Sequence, residues 1–359
     1  MTDHDFLSAT FQSIALPPQE PTLTGAPLQC DRWIARSALQ KAVRRGEGAM
    51  AQRAALNLLE NDPRSAWRAL VIVGLEDVGF GSWTALSEVV ALAQSSVRRK
   101  HLASEAVLVS YAVQRLASGG HCQAACDLLM RATNDPAWEL ARADLADANP
   151  SDRRDVLACS TRPLIERAVA LLALLNDPAG GTRSARADVI LEVLCEAGPV
   201  LSVANAAWRA TGNEMALMLP LLESMSIRDQ HVAEDLLLPL VEHEGIPLYA
   251  LDQFTRTGKS AINRLIYRDA SIQVLLNSVT ADQRTWAGMV ADALFIVEGS
   301  PVLRRAERSS LSHLRLPFRP LVGAFALGQA LTPLTNLVTA AIPALNRIRE
   351  DLLSTPPHE

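Results

Sequence analysis

No stretch of this 359-residue chain sustains the apolar/polar alternation that a half-buried strand requires, and that absence constrains its fold more than any other feature. Apolar residues recur instead at the three- and four-residue spacing of a helix face. Aromatic residues make up only 4% of the chain and Ala and Leu dominate, a balance that suits helices because neither residue loses much side-chain freedom there. The expected fold class is all-α, an irregular helical bundle or α-solenoid of antiparallel helices. At 49% hydrophobic residues the chain can bury a large core, and two sub-domains are expected. No fixed 34- or 40-residue period repeats, so no named repeat family applies.

A net charge of −5 argues against coating nucleic acid through an overall positive field, while leaving room for local basic patches. Five scattered cysteines (Cys30, Cys122, Cys126, Cys159, Cys195) are an odd set without framework spacing, so reduced thiols in a cytoplasmic protein are expected. Asp3, His4 and Asp5 precede only a short apolar stretch, which does not read as a secretory signal. Between Arg319 and Arg347 there is no charge, and the run at 321–345 is long enough to span a bilayer. Gln329, Thr332, Thr335, Asn336 and Thr339 with Pro333 and Pro343 favour a buried hairpin or an oligomer contact over membrane insertion.

Residues 1–30, with Pro17, Pro18, Pro21 and Pro27, read as an extended arm. Helices are expected from the Asp31 cap through Trp33, Ile34, Leu39 and Val43, then over Ala51–Leu59, and from Pro63 to about Leu75 after an Asp cap. Further periods cover 83–95, 103–117, 121–132, 136–147, 162–175, 185–197, 199–210, 214–226, 232–242, 258–268, 281–297 and 301–312. The segment NDPAGGTRS at 176–184 joins Asp-Pro to a Gly pair and reads as the main linker. That gives a helical domain at 31–176, a second at 185–315 and an apolar helical tail at 316–359.

Two stretches carry a family likeness: SALQKAVRRGEGAMAQRAALNLL at 37–59 and WRALVIVGLEDVGF at 67–80. Ser37, Ala38, Leu39, Lys41, Arg44 and Gly46 in the first, with Arg68, Leu70, Glu76, Asp77 and Gly79 in the second, resemble the helical domain that follows the ATPase in the MgsA/RarA group of replication-associated proteins. The likeness covers about residues 31–130. It implies a helical fold, a DNA replication or repair context and self-assembly into a homo-oligomer. It does not imply nucleotide hydrolysis, because no ATPase module precedes the match. Leu75 departs from the small residue usual before the Glu-Asp pair.

Several motifs invite chemical readings. ALVIVGLED imitates a magnesium-binding strand, yet no phosphate loop lies upstream, and a helix closing at Gly79 is the plainer reading. Glu76 and Asp77 at a helix C-terminus oppose the macrodipole by ~0.3–1 kcal/mol each, so they need a partner: a neighbouring helix N-terminus, or Lys41, Arg44 or Arg45. Glu76, Asp77 and Gly79 are therefore candidates for a partner or ligand contact. Thr257-Gly258-Lys259-Ser260 looks like the end of a phosphate loop, but the required earlier Gly is Gln253. The string LDQFTRTGKSAINRLIYR remains notable for Arg256, Lys259, Arg264 and Arg268 at the start of a helix, an arrangement suited to phosphate or nucleic-acid backbone. The plain alternative is a solvated face paired with Glu242, Glu244 and Asp269. Arg304, Arg305 and Arg308, with His313, Arg315 and Arg319, form the densest basic cluster, and Arg98-Arg99-Lys100-His101 and Arg153-Arg154 are smaller ones. His121, Cys122 and Cys126 lack the second ligand pair zinc wants. His231 and His243 beside Glu242 and Glu244 lack a nucleophile, so no catalytic residue, metal or cofactor is expected.

These readings converge on a non-catalytic helical interaction protein that binds DNA or a replication or repair partner. The competing reading is a helical scaffold of phage or plasmid biology, unrelated to DNA, that assembles through its apolar tail.

Overall fold

The computed structural model describes residues 3–16, 25–194, 198–223, 230–308, 311, 314 and 328–354. These are almost entirely helical, and the protein is all-α. Among the described residues, strand pairing amounts to two short ladders, Gln230–Ala233 antiparallel to Arg305–Arg308 and Glu242–His243 antiparallel to Ile246–Pro247, and one isolated parallel bridge between His121 and Arg305. The second ladder is a tight hairpin whose two turn residues, Glu244 (φ +51°) and Gly245 (φ +77°), both adopt the positive φ such turns need.

The chain forms two units that interleave along the sequence. Unit 1 comprises Met1–Pro21, Trp67–Ala233 and Arg304–Leu316; unit 2 comprises Thr22–Ala66, Glu234–Leu303 and Pro317–Glu359. The break between Ala66 and Trp67 falls inside the helix Pro63–Val73. The 176–184 segment read as a linker lies inside unit 1, where Asp177 caps a short turn Pro178–Gly180 between the helices Leu164–Leu175 and Arg183–Val193.

Unit 1 gathers around Leu164–Leu175, which packs against Ala124–Asn134, Glu139–Asp147, Pro150–Ala158, Arg183–Val193 and Met215–Glu223. Its first element corrects the reading of residues 1–30 as an extended arm. Asp3–Ser13 is a helix seated on Trp83–Ala93 and Pro199–Thr211, and the Arg98 guanidinium lies 4.4 Å from the Phe11 ring. Residues 25–30 do run extended, in unit 2 along the helix Gly48–Asn61. There Leu28 is buried, its N–H donates to the Arg53 carbonyl, and Asn57 Nδ2 donates to the Leu28 carbonyl at 2.6 Å.

In unit 2 the helices Arg32–Arg44 and Gly48–Asn61 form a hairpin turned at Gly46 (φ +67°), and Asp31 caps the first through the N–H groups of Trp33 and Ile34. The main core joins Arg256–Arg268, Ala270–Val279, Trp286–Leu294 and Leu331–Ser354. Leu331–Ser354 contributes Leu334, Val338, Leu345 and Ile348 at helical spacing. Each such side chain taken from water contributes roughly 1.5–3 kcal/mol. One face of the described part of the apolar C-terminal run is therefore core, and Thr335 and Thr339 donate their hydroxyls to the Leu331 and Thr335 carbonyls within the helix. Residues 321–327 of that run lie outside the described residues. Pro63–Ala93 is long and apolar enough to cross a membrane, and 67% of its most apolar window is buried inside the protein.

Two expected helices are absent. Residues 232–242 leave the strand Gln230–Ala233 and continue without regular secondary structure to the hairpin, and residues 305–308 are the partner strand. Long-range bonds replace the helical ones: the Asp235 N–H donates to the Val302 carbonyl, and the Val302 N–H donates to the Asp235 side chain at Oδ2. Pro239, lacking an N–H, opposes a helix there as well.

Candidate nucleic-acid interface

The helix Arg256–Arg268 is launched by a loop whose geometry is fixed from below. Lys41, buried on the helix Arg32–Arg44, donates from Nζ to Asp252 Oδ2 at 2.6 Å and to the Tyr249 carbonyl at 2.5 Å. Ser37 Oγ donates to the same Asp252 oxygen at 2.7 Å. Burial pushes the Asp252 carboxyl up, but the Lys41 charge and the bonds from Lys41, Ser37 and the Phe254 N–H outweigh it and hold the group below the usual carboxylate range. Burial holds Lys41 below the usual lysine value despite Asp252.

The loop then turns on itself. Asp252 Oδ1 accepts from the Phe254 N–H at 2.8 Å, the Thr255 hydroxyl donates to the Asp252 carbonyl at 3.0 Å, and Thr255 Oγ1 caps the helix by accepting from the Gly258 N–H at 3.0 Å. Gly258 packs so closely on this turn that a Cβ would sit 2.0 Å from the Asp252 carbonyl oxygen. The glycine of the Thr-Gly-Lys-Ser string thus serves helix–loop packing. Its backbone faces protein, whereas a phosphate loop turns such a glycine toward the anion.

The helix is sharply two-faced. Gly258, Ala261, Ile262, Leu265 and Ile266 are buried, while Arg256, Lys259, Asn263, Arg264, Tyr267 and Arg268 are exposed. At 100° per residue, Arg256, Asn263 and Tyr267 share the centre of the outer face, with Lys259 on one flank and Arg264 and Arg268 on the other. None of the four cations makes an ion pair or a side-chain hydrogen bond within the described residues. The expected plain alternative, pairing with Glu242, Glu244 or Asp269, does not form; Asp269 instead caps the next helix through the Ser271 and Ile272 N–H groups. Between residues 253 and 281 Asp269 is the only acid.

Position along the helix matters too. Arg256 and Lys259 lie in the first turn, which contains no acid. Cations at the positive end of a helix dipole are disfavoured by ~0.3–1 kcal/mol each, and a bound anion reverses the sign of that contribution. The loop and helix also project two exposed aromatics that sequence reading passed over, Phe254 (59% exposed) and Tyr267 (84%). A helical wheel of 254–268 would have found Tyr267 on the arginine face; Phe254 depends on the Asp252 turn.

The other sequence candidates lie in unit 1. Gly74–Val78 is a π-helical turn in which Asp77 is fully buried, with Oδ1 accepting from Gln123 Nε2 at 3.0 Å, and Glu76 is half-buried beside it. Gln123 Oε1 in turn accepts from the Arg305 guanidinium at 3.2 Å. Gly79 follows at φ +45°, and a Cβ there would stand 2.6 Å from the Cys122 carbonyl oxygen. Asp77 and Gly79, expected as partner or ligand contacts, are thus occupied by an internal junction. Lys41, Arg44 and Arg45, the other proposed partners of these acids, are engaged within unit 2 by Asp252, the Gly299 carbonyl and Glu47.

Arg304 and Arg305 belong to the same junction. Arg304 donates to the Ser118 carbonyl at 2.6 Å, its carbonyl accepts from the His121 N–H, and the Ala306 N–H donates to the His121 carbonyl. They lie at and within a strand where a helical basic face was expected, and the backbone of Arg308 ends that strand. The sequence candidates thus divide by unit: Arg256, Lys259 and Arg264 share an exposed helix face in unit 2, while Glu76, Asp77, Gly79, Arg304, Arg305 and Arg308 belong to unit 1. Among the described residues no group of three or more His, Cys, Asp or Glu could hold a metal ion.

No family model, curated protein or solved structure matches the chain. The two sequence stretches 37–59 and 67–80 fall on different units, the first in unit 2 and the second within unit 1.

Proposed function

We propose that this protein is a non-catalytic helical interaction protein of DNA metabolism, and that the outer face of Arg256–Arg268 grips nucleic-acid phosphates. The observation that supports it is the set of four unpaired cations on one rigid, capped helix face in a chain whose net charge is −5. An acidic chain gains little from an overall field, so a locally acid-free basic face is a specific arrangement. The resemblance at residues 37–59 and 67–80 supplies the replication or repair context. The alternative of a scaffold assembling through its apolar tail has less support, because the apolar face of the described part of that tail packs into the unit 2 core.

Four phosphate contacts give an expected log–log salt slope of about −2.8 for a single strand and −3.6 for a duplex. Between about 50 and 200 mM salt, affinity should then fall roughly 50- to 150-fold. The test is fluorescence anisotropy with labelled single-stranded, duplex and forked DNA across that range. The reading expects binding at low salt that is lost in the Arg256→Gln, Lys259→Gln, Arg264→Gln triple variant. Absence of binding to all three probes, or an unaltered triple variant, overturns it.

A further inference from the structure

Building on that reading, we propose that the preferred ligand is single-stranded nucleic acid, with Tyr267 and Phe254 stacking on unpaired bases while the surrounding cations hold the phosphates. The three tyrosines of the chain divide cleanly. Tyr111 donates its hydroxyl to Glu88 at 3.0 Å and Tyr249 donates its hydroxyl to Glu47 at 2.6 Å. Tyr267 has no hydroxyl partner and is 84% exposed. Phe254 is likewise the one phenylalanine in the exposed class among the described residues. A chain with only 4% aromatic residues thus places its most exposed tyrosine, and the most exposed phenylalanine among the described residues, at the two ends of its acid-free basic helix.

The helix sets their spacing. Tyr267 is eleven positions beyond Arg256, about 16 Å along the axis, with Asn263 one turn before it on the same line. Phe254 is fixed just ahead of the first turn by the Asp252 bond to its N–H. Phe254 thus stands just ahead of the helix and Tyr267 near its end, with Arg256, Lys259 and Arg264 between them over about 16 Å of axis, a length that several nucleotides of an extended strand would cover. In a duplex the bases are already stacked on one another, so such rings would meet only backbone. In a single strand every base offers a face, and stacking adds affinity without sequence readout. Asn263, between the rings, adds an amide that both donates and accepts.

The experiment uses the full chain and three probes of equal length, each longer than a site of roughly 4–16 nucleotides: a single strand, its duplex, and an abasic strand with the same phosphates. Wild type should bind the single strand more tightly than the abasic strand or the duplex. Tyr267→Ala and Phe254→Ala should each weaken single-strand binding, roughly five- to 150-fold, while leaving the abasic and duplex affinities unchanged. Tyr267→Phe should keep single-strand affinity. Both side chains are exposed, so far-UV circular dichroism should match wild type and show that the variants fold. If the abasic strand binds as well as the single strand, or both Ala variants bind the single strand like wild type, the stacking proposal falls while the basic face stands. If wild type binds none of the probes at low salt, both fall together.

Discussion

Replacing Asp252 with Ala removes the acceptor of three hydrogen bonds, from Lys41 Nζ, Ser37 Oγ and the Phe254 N–H, and leaves Lys41 buried with the Tyr249 carbonyl. Breaking a buried ion pair by deleting one partner costs about 3–5 kcal/mol, since the surviving charge stays desolvated. The side chains of Lys41 and Asp252 are 6% and 18% exposed, and partial access to solvent at Asp252 places the expected cost near the lower end, about 3 kcal/mol. Lys41→Met removes the charge as well, so Lys41→Met/Asp252→Ala should be far less destabilised than the sum of its singles, with a coupling of at least about 2 kcal/mol. Urea unfolding of wild type, both singles and the double measures this directly. The pH dependence adds an independent check. A carboxyl held below its ordinary 3.8 stabilises the fold above that value, and the contribution is lost as pH falls through the folded value. Asp252→Ala should therefore show a shallower acid limb than wild type. A cost under about 1 kcal/mol for Asp252→Ala, or strictly additive singles, would refute the account of this loop as an ion-pair-anchored platform.

Other consequences can be checked on the same footing. Gly79→Ala must place a methyl 2.6 Å from a carbonyl oxygen at φ +45°, whereas Gly212→Ala at φ +64° meets open space, so the first should cost roughly 1–3 kcal/mol more in unfolding experiments; equal costs would sink the close-approach argument. Burial, reinforced by Glu47, raises the Tyr249 hydroxyl well above its ordinary 10.0. The folded state then binds more protons above pH 10, stability falls as pH rises there, and Tyr249→Phe should flatten that fall in alkaline denaturation. Cys159 is lowered by its bonds to Thr161, while burial raises Cys30 to about 11. Among the described cysteines Cys159 should be alkylated first, and peptide mapping that found Cys30 modified earlier would contradict this.

Much of the architecture was legible because helical spacing and caps are local. Asp31, Asp62 and the Gly46 turn announce their helices in sequence, and the structure finds Asp31 and Asp62 accepting the expected first-turn N–H bonds. What was not legible is non-local. The strand at 305–308 exists because residues 230–233 pair with it, and no pattern within either segment reports that. The helix at Asp3–Ser13 shows only weak periodicity and gains its place by packing on Trp83–Ala93 and Pro199–Thr211. At the candidate interface the cations were visible from their spacing, yet their freedom from acids was not. That depended on Asp269 turning to cap a helix and on Asp252 being claimed by Lys41 and Ser37. The burial of Asp77 is illegible for the converse reason. Its partner Gln123 is 46 residues away, so nothing local shows that the acid is internal.

The interleaving of the two units sets a schedule for folding. Lys41 waits for a partner 211 positions later, and closing a chain segment of that length costs about 5 kcal/mol of entropy before any contact is made. At roughly 5–20 residues per second, synthesis leaves the hairpin of Arg32–Arg44 and Gly48–Asn61 without Asp252 for about 10–40 seconds. During that interval the face that later accepts Asp252, Gly299 and Leu238 presents Lys41, Arg44 and Arg45 to water. An all-apolar face would pack more simply in the finished protein but would be adhesive while it waited. Lys41, Arg44 and Arg45, buried in the finished unit 2, would thus give that waiting face a charged rather than an adhesive surface.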